Sequence, residues 1–176
     1  MSYFSVDIEA DGPCPGIYSM VSFGAVIIDS EKKLNKTFYG QLKPISEVYI
    51  PKALSVSGHS REQTLAFPEP KKVIRDFYDW IMANNDYKTG KPLFIADNNG
   101  FDWQFINYYF WRYMGLNPFG HTSRNINDLY KGGTKNMKSK ISRLRKTKHT
   151  HHPVDDAKGN AEAFLKVVRE FDHTRI

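Results

Sequence analysis

The chain has 176 residues, of which 40% are hydrophobic and 14% aromatic, a composition that excludes a disordered polymer and fits one domain over residues 1–176 with a sizeable core. Its formal charge of +6 favours a polyanionic partner. The lone Cys14 excludes an internal disulfide and fits a reducing, cytoplasmic setting, while no apolar run reaches the roughly 20 residues of a membrane span and no signal peptide opens the chain.

Tyr3 to Glu9 reads as a strand, and Asp11-Gly12-Pro13-Cys14-Pro15-Gly16 as a turn-rich loop. Met20 to Ile28 is a nearly continuous apolar run, as expected of a central strand. Lys36 to Leu42 alternates less cleanly and reads as a third, more exposed strand of an antiparallel meander. Pro68 and Pro70 then open a helix whose apolar face is Val73, Phe77, Trp80 and Ile81. Leu93 to Ala96 is a short buried strand, and a second helix runs from Phe101 to Met114, closed by Gly115. Asn125 to Leu129 reads as a fifth strand. The last helix spans Asp155 to Phe171, with Ala157, Ala161, Phe164, Leu165 and Val168 on one face.

Five residues on this scaffold point to chemistry: Asp7, Glu9, Asp102, His151 and Asp156. Alternation along a strand sends Asp7 and Glu9 to one face and Val6 and Ile8 to the other. Two carboxylates side by side on a core strand repel one another and resist burial, and a divalent cation removes that cost. Asp102 and the segment His151 to Asp156 add two more carboxylates and a base, a set suited to phosphodiester cleavage by two magnesium ions. Asp102 at a helix start is also compatible with capping. Asp155 and Asp156 differ by about 100° around a helix, so only one of them faces the site. His149 and His152 rival His151, but the tract lacks the paired ligand spacing of a zinc site and the lone cysteine is distant.

These pieces resemble the DEDDh branch of the 3′–5′ exonucleases. Asp7-Ile8-Glu9, extended by Ala10-Asp11-Gly12, is similar to the family's first motif, Asn98 to Asp102 to its second, and His151 with Asp156 five residues on to its third. The motifs occur in order along roughly the whole chain. Asp97 stands where many members have His, and Pro153 where Ala is common; neither position is a ligand in the family. The resemblance implies a ribonuclease H-like α/β fold, a mixed five-stranded sheet flanked by helices. It further implies two Mg2+ or Mn2+ ions held by Asp7, Glu9, Asp102 and Asp156, with His151 as the general base and Asp155 left as a cap. Homodimers are frequent in the family, so a second copy is one expected partner.

The expected activity is metal-dependent 3′–5′ release of nucleoside 5′-monophosphates from single-stranded nucleic acid. RNA is slightly favoured over DNA, because a small stand-alone domain resembles the short exoribonucleases. A nucleic-acid-binding module without catalysis and a ribonuclease H-like endonuclease are the alternatives. Ala10, Ser57, Gly58, Asn98 and Phe101 are candidate substrate contacts by resemblance. Lys131 to Lys148 carries eight cations and no acid, and ends at the catalytic histidine segment. Lys138, Lys140, Arg143 and Arg145 within it are expected to guide a phosphate backbone. Lys131-Gly132-Gly133-Thr134 lacks the spacing of a phosphate loop. The many Tyr, Phe and Trp side chains also suggest some stacking on bases.

Overall fold

The computed structural model describes residues 2–28, 33–88 and 90–171. Its centre is a five-stranded sheet in the order β3-β2-β1-β4-β5. The strands are β1 (Tyr3–Ala10), β2 (Met20–Ile28), β3 (Thr37–Gln41), β4 (Leu93–Ala96) and β5 (Ser123–Asn125). β1 and β2 pair antiparallel, as do β2 and β3, whereas β4 runs parallel to β1 and β5 parallel to β4. The mixed sheet follows from the connections: short loops join the first three strands, and helices carry the chain back before β4 and β5.

Both faces of the sheet are covered, which explains the buried run of β2. On one face Phe4, Val6, Ile8, Phe23, Ala25 and Ile27 pack on α3 (Pro70–Asn84) and α4 (Asn99–Met114). On the other, Val26, Ile28 and Ile95 meet α6 (Pro153–Glu170) through Ala157, Ala161 and Phe164. The aromatic surplus is spent mostly inside: Phe77 contacts the rings of Phe23, Phe38, Trp80, Phe110 and Phe119. Among the described residues no helix is long and apolar enough to cross a membrane.

Several elements differ from the sequence reading. Two short helices, α1 (Pro51–Val56) and α2 (Arg61–Leu65), fill the loop after β3. The strand expected at Asn125 to Leu129 ends at Asn125, and α5 (Ile126–Thr134) follows. Its reason is local: the Asn125 side chain accepts from the Asp128 amide and caps a helix at the point where the strand was extended. A turn of 3-10 helix, Ile141–Leu144, lies within the basic run.

Candidate active site

The three motifs converge because β1, α4 and α6 each bring one of them to the same end of the sheet. Asp7 and Glu9 sit on β1 opposite Gly24 and Ser22 of β2. Gly24 matters here: a Cβ on it would collide with the backbone of Pro153 and Val154, so only glycine lets the start of α6 lie on the strand. That approach delivers Asp156 to Asp7 and Glu9, and ligand oxygens of all three lie within 4.8 Å of one another.

Asp102 arrives from the other side. β1 pairs with β4 from Tyr3 only as far as Ser5, opposite Ile95, so the backbone of Ile8 lacks a strand partner on that side. The Ile8 amide donates instead to Asp102 Oδ1 at 3.2 Å, which locks the first turn of α4 to β1. Asp102 is therefore not a cap; Asn98 holds that position. Its second oxygen, Oδ2, is buried without a hydrogen-bond partner. An orphaned carboxylate oxygen in a cluster of acids fits a cation, and an all-oxygen donor set fits a hard divalent one.

The electrostatics agree. Burial, then the charges of Asp102 and Asp156, hold the Asp7 carboxyl well above the ordinary aspartate range. Burial, then Asp97 and Glu9, does the same to Asp102, against the Ile8 amide that favours its charged form. Glu9 is pushed up to about 7, by burial first and by Asp156 second. Three acids that resist ionisation in one place define a site that gains by taking up a cation.

Asp156 is held differently. Oδ1 accepts from Arg145 Nη2 at 2.7 Å, from the Thr150 amide at 3.2 Å and lies 2.9 Å from His149 Nδ1; Oδ2 accepts from the His151 amide at 2.9 Å. Arg145 is almost fully buried and lies against Gly159, where a side chain would collide with its guanidinium. Arg145, expected to guide a phosphate backbone, is thus engaged by Asp156, while it also lines the lysine cleft on the other side of the cluster. Asp155 is not a cap either; it accepts from the Thr150 hydroxyl at 3.3 Å.

His151 adopts φ 60°, a left-handed conformation that costs a non-glycine residue about 1–2 kcal/mol. The turn puts its amide on Asp156 and its ring, half exposed, with Nδ1 3.9 Å from Glu9 Oε1. His152 points away and packs on Tyr39, 5.0 Å between ring centroids. The strained residue is the one whose ring reaches Glu9, while the ring of His149 reaches Asp156.

Two cavities flank the cluster. An apolar pocket of about 410 Å³ opens at Glu9, walled by Ala10, Pro13 and Phe101 and by Ile50, Ala53 and Val56 around α1. Ala10 and Phe101, candidate substrate contacts from the sequence, both line this pocket; the α1 wall was missed, because a helix of six residues has no readable periodicity. Ser57 and Gly58 lie next to α1 but outside this lining. The Ser57 hydroxyl donates to Leu54 O at 2.7 Å and accepts from the His59 amide, so it ties the turn rather than facing the pocket. Gly58 takes φ 72°, a conformation suited to glycine, and completes that turn. The exposed Asn98 contributes its backbone carbonyl, which accepts from the Phe101 and Asp102 amides.

On the other side a cleft of about 650 Å³ is lined by Asp97, Asn127, Lys131, Lys138 and Lys140. Lys138 and Lys140 therefore do border a cavity beside the site, while Arg143 lies exposed on the 3-10 turn and outside the lining. Asp97 is tied down by Asn160, whose amide donates to Oδ1 at 2.9 Å, and it belongs to the negative field around Asp7 and Asp102. Asp11 is remote in role: Arg61 binds it at 3.0 Å and anchors α2.

A mixed ribonuclease H-like sheet with four convergent carboxylates and a histidine defines a DEDDh-type exonuclease. The chain matches the exonuclease family model of the RNase T type over residues 4–164 and belongs to that family. It is 38% identical over 171 residues to the 3′-5′ DNA exonuclease Cap18 of Escherichia coli, covering 92% of this chain and 89% of that one. The nuclease domain of 3′hExo, a DEDDh family member solved with rAMP, superposes with TM-score 0.76 at 17% identity, over 96% of this chain and 92% of that one. Escherichia coli Exonuclease I in complex with a dA16 oligonucleotide gives TM-score 0.74 at 17% identity, over 98% of this chain and 42% of that one. The protein is a 3′–5′ exonuclease.

Proposed function

We propose that the enzyme removes nucleoside 5′-monophosphates from the 3′ end of single-stranded DNA, using a pair of Mg2+ or Mn2+ ions. The observation that supports this reading is the order of features along the site: an apolar pocket, the carboxylate cluster, then a lysine-lined cleft. Asp7, Glu9, Asp102 and Asp156 would hold the ions. When bound, the metal pair supplies charge neutralisation at the phosphate and activation of the attacking water.

The chain's own residues do the rest. Ala10, Phe101, Ala53 and Val56 offer an apolar seat for the terminal base, and Glu9, assigned to the metal, is the one lining side chain with polar atoms. Seating the last nucleotide there puts the last phosphodiester, and no internal one, over the carboxylates. His151, half exposed beside Glu9, accepts the proton of the attacking water. Lys131, Lys138 and Lys140 attract the phosphates of the upstream strand.

DNA replaces the RNA expected from the size of the chain because the Escherichia coli relative, similar over nearly its whole length, is named a DNA exonuclease. Matched DNA and RNA oligonucleotides in one competition assay test the choice. Faster loss of DNA is the expected outcome, and faster loss of RNA would reverse it.

A further inference from the structure

The histidine tract has a second arrangement that the hydrolytic reading does not use. His149, His151 and Asp156 bring one ligand atom each to within 4.8 Å of one another. His149 Nδ1 lies 2.9 Å from Asp156 Oδ1, and the two imidazole centroids are 4.3 Å apart with the rings at 72°. The sequence argued against a zinc site because no paired ligand spacing is visible. The positive φ of His151 supplies what spacing does not, folding the loop so that residues two apart face each other.

We propose that these three residues form a transition-metal site of the zinc class, and that its occupancy switches the nuclease off. Two imidazole nitrogens and one carboxylate oxygen are the donors that Zn2+, Co2+ and Ni2+ prefer, whereas Mg2+ demands oxygen. Three protein ligands leave a fourth tetrahedral position for solvent. Both histidines are about half exposed, at 55% and 51%, so an ion reaches them from bulk water. The third ligand is already fixed: Asp156 is 1% exposed and is oriented by Arg145 and the Thr150 amide, the outer partners a ligand carboxylate needs. Glu162 pins the loop below by accepting from the Lys146 and Thr147 amides, both at 2.7 Å.

Inhibition follows from sharing. Asp156 belongs to this group and also to the oxygen group with Asp7 and Glu9. An ion on the histidine side takes a carboxylate away from the other group and takes His151 away from proton transfer. The inhibitory part rests on the function proposed above; metal binding by the two histidines does not.

The test has two arms on the full chain. In the first, Zn2+ is titrated calorimetrically into metal-free wild type, His149→Ala and His149→Gln, and Co2+ is used to read imidazole ligation by its visible spectrum. Loss of an outer-shell partner alone costs 10- to 100-fold in affinity, so loss of a ligand should weaken Zn2+ binding by at least about tenfold in both variants. The imidazole signature of Co2+ should fade with it. In the second, Zn2+ is added to digestion of 5′-labelled single-stranded DNA in excess Mg2+, each variant scaled to its own zinc-free rate. The half-inhibiting concentration should rise by a similar factor. Unchanged Zn2+ affinity in both variants would overturn the site. Weakened binding with unchanged inhibition would overturn the switch while leaving the site. A chain that digests nothing would fail the proposed function and leave the first arm readable.

Discussion

Asp102 and Asp156 are ligands of the same proposed centre and are equally buried, at 2% and 1%, yet their surroundings are opposite. Asp102 has one oxygen on the Ile8 amide and the other on nothing. Asp156 has both oxygens occupied, one of them by the buried cation Arg145. The β1–α4 half is an anionic recess held open by packing. The α6 half carries its own countercharge and its own donors. A metal therefore completes the first half and enters an already balanced second half. A cluster of like residues therefore does not have one electrostatic character, and opposite mutational signs are expected from its two sides.

The largest effect should come from the open half. Asp7→Asn or Asp102→Asn should lower turnover by at least about 1,000-fold, more than losing one hydrogen-bond donor from an anion site commonly costs. Without metal the same variants should melt higher, by about 2–4 °C for each kcal/mol of repulsion relieved. Near wild-type hydrolysis by Asp102→Asn would remove it from the centre. His151→Ala should lose about 100- to 10,000-fold in rate with divalent-ion affinity on the carboxylate side little changed, and His152→Ala should be mild. The reverse ranking would reassign the base.

The balanced half should answer with the opposite sign. Arg145→Met leaves Asp156 buried without its cation and should destabilise the metal-free protein by about 3 kcal/mol, with part of the loss restored by Mg2+. Denaturant melts with and without a chelator measure both. Equal stability of Arg145→Met and wild type would erase the contrast between the halves.

The pH response sharpens the same point. The folded Glu9 carboxyl sits at about 7 against an ordinary value of 4.5, so the folded state binds the proton more tightly than the unfolded chain. Stability of the metal-free protein should therefore fall as pH rises from about 4.5 to 7, by at most about 3 kcal/mol from this group. Asp7 and Asp102, also raised, act in the same direction. Glu9→Gln should remove its share of the slope in melts run with a chelator. A smaller effect belongs to the cleft. Neutralising Lys131, Lys138 and Lys140 together should raise KM on long strands and make the log–log salt slope shallower by about 2, at roughly 0.7 per phosphate contact on a single strand.

The parts legible in the sequence are those where one residue type can serve only one purpose. β2 was readable to its ends because nine buried residues in a row cannot be a surface element. Asp7 and Glu9 were readable because acids on a core strand demand a reason. What stayed hidden depends on contacts made at a distance. Nothing in the basic run distinguishes Arg145 from its neighbours until Gly159 gives it a slot beside Asp156. The pocket wall at Ala53 and Val56 comes from a six-residue helix, too short for a period. At Asn125 the signal was present and outweighed: Ile126, Leu129 and Tyr130 follow helical spacing, and the cap preceded them. The meeting of His149 and His151 needs a backbone conformation that no spacing rule contains.

This carboxylate cluster is proposed to hydrolyse phosphodiesters from a 3′ end with a divalent ion. It is tested most directly with a 5′-labelled single-stranded DNA, a circular strand of the same composition, and Mg2+ with or without a chelator. The expected outcome is a ladder that shortens from the 3′ end, 5′-monophosphate products, an intact circle, and arrest on chelation. Cleavage of the circle, or cleavage that persists without the ion, would contradict it.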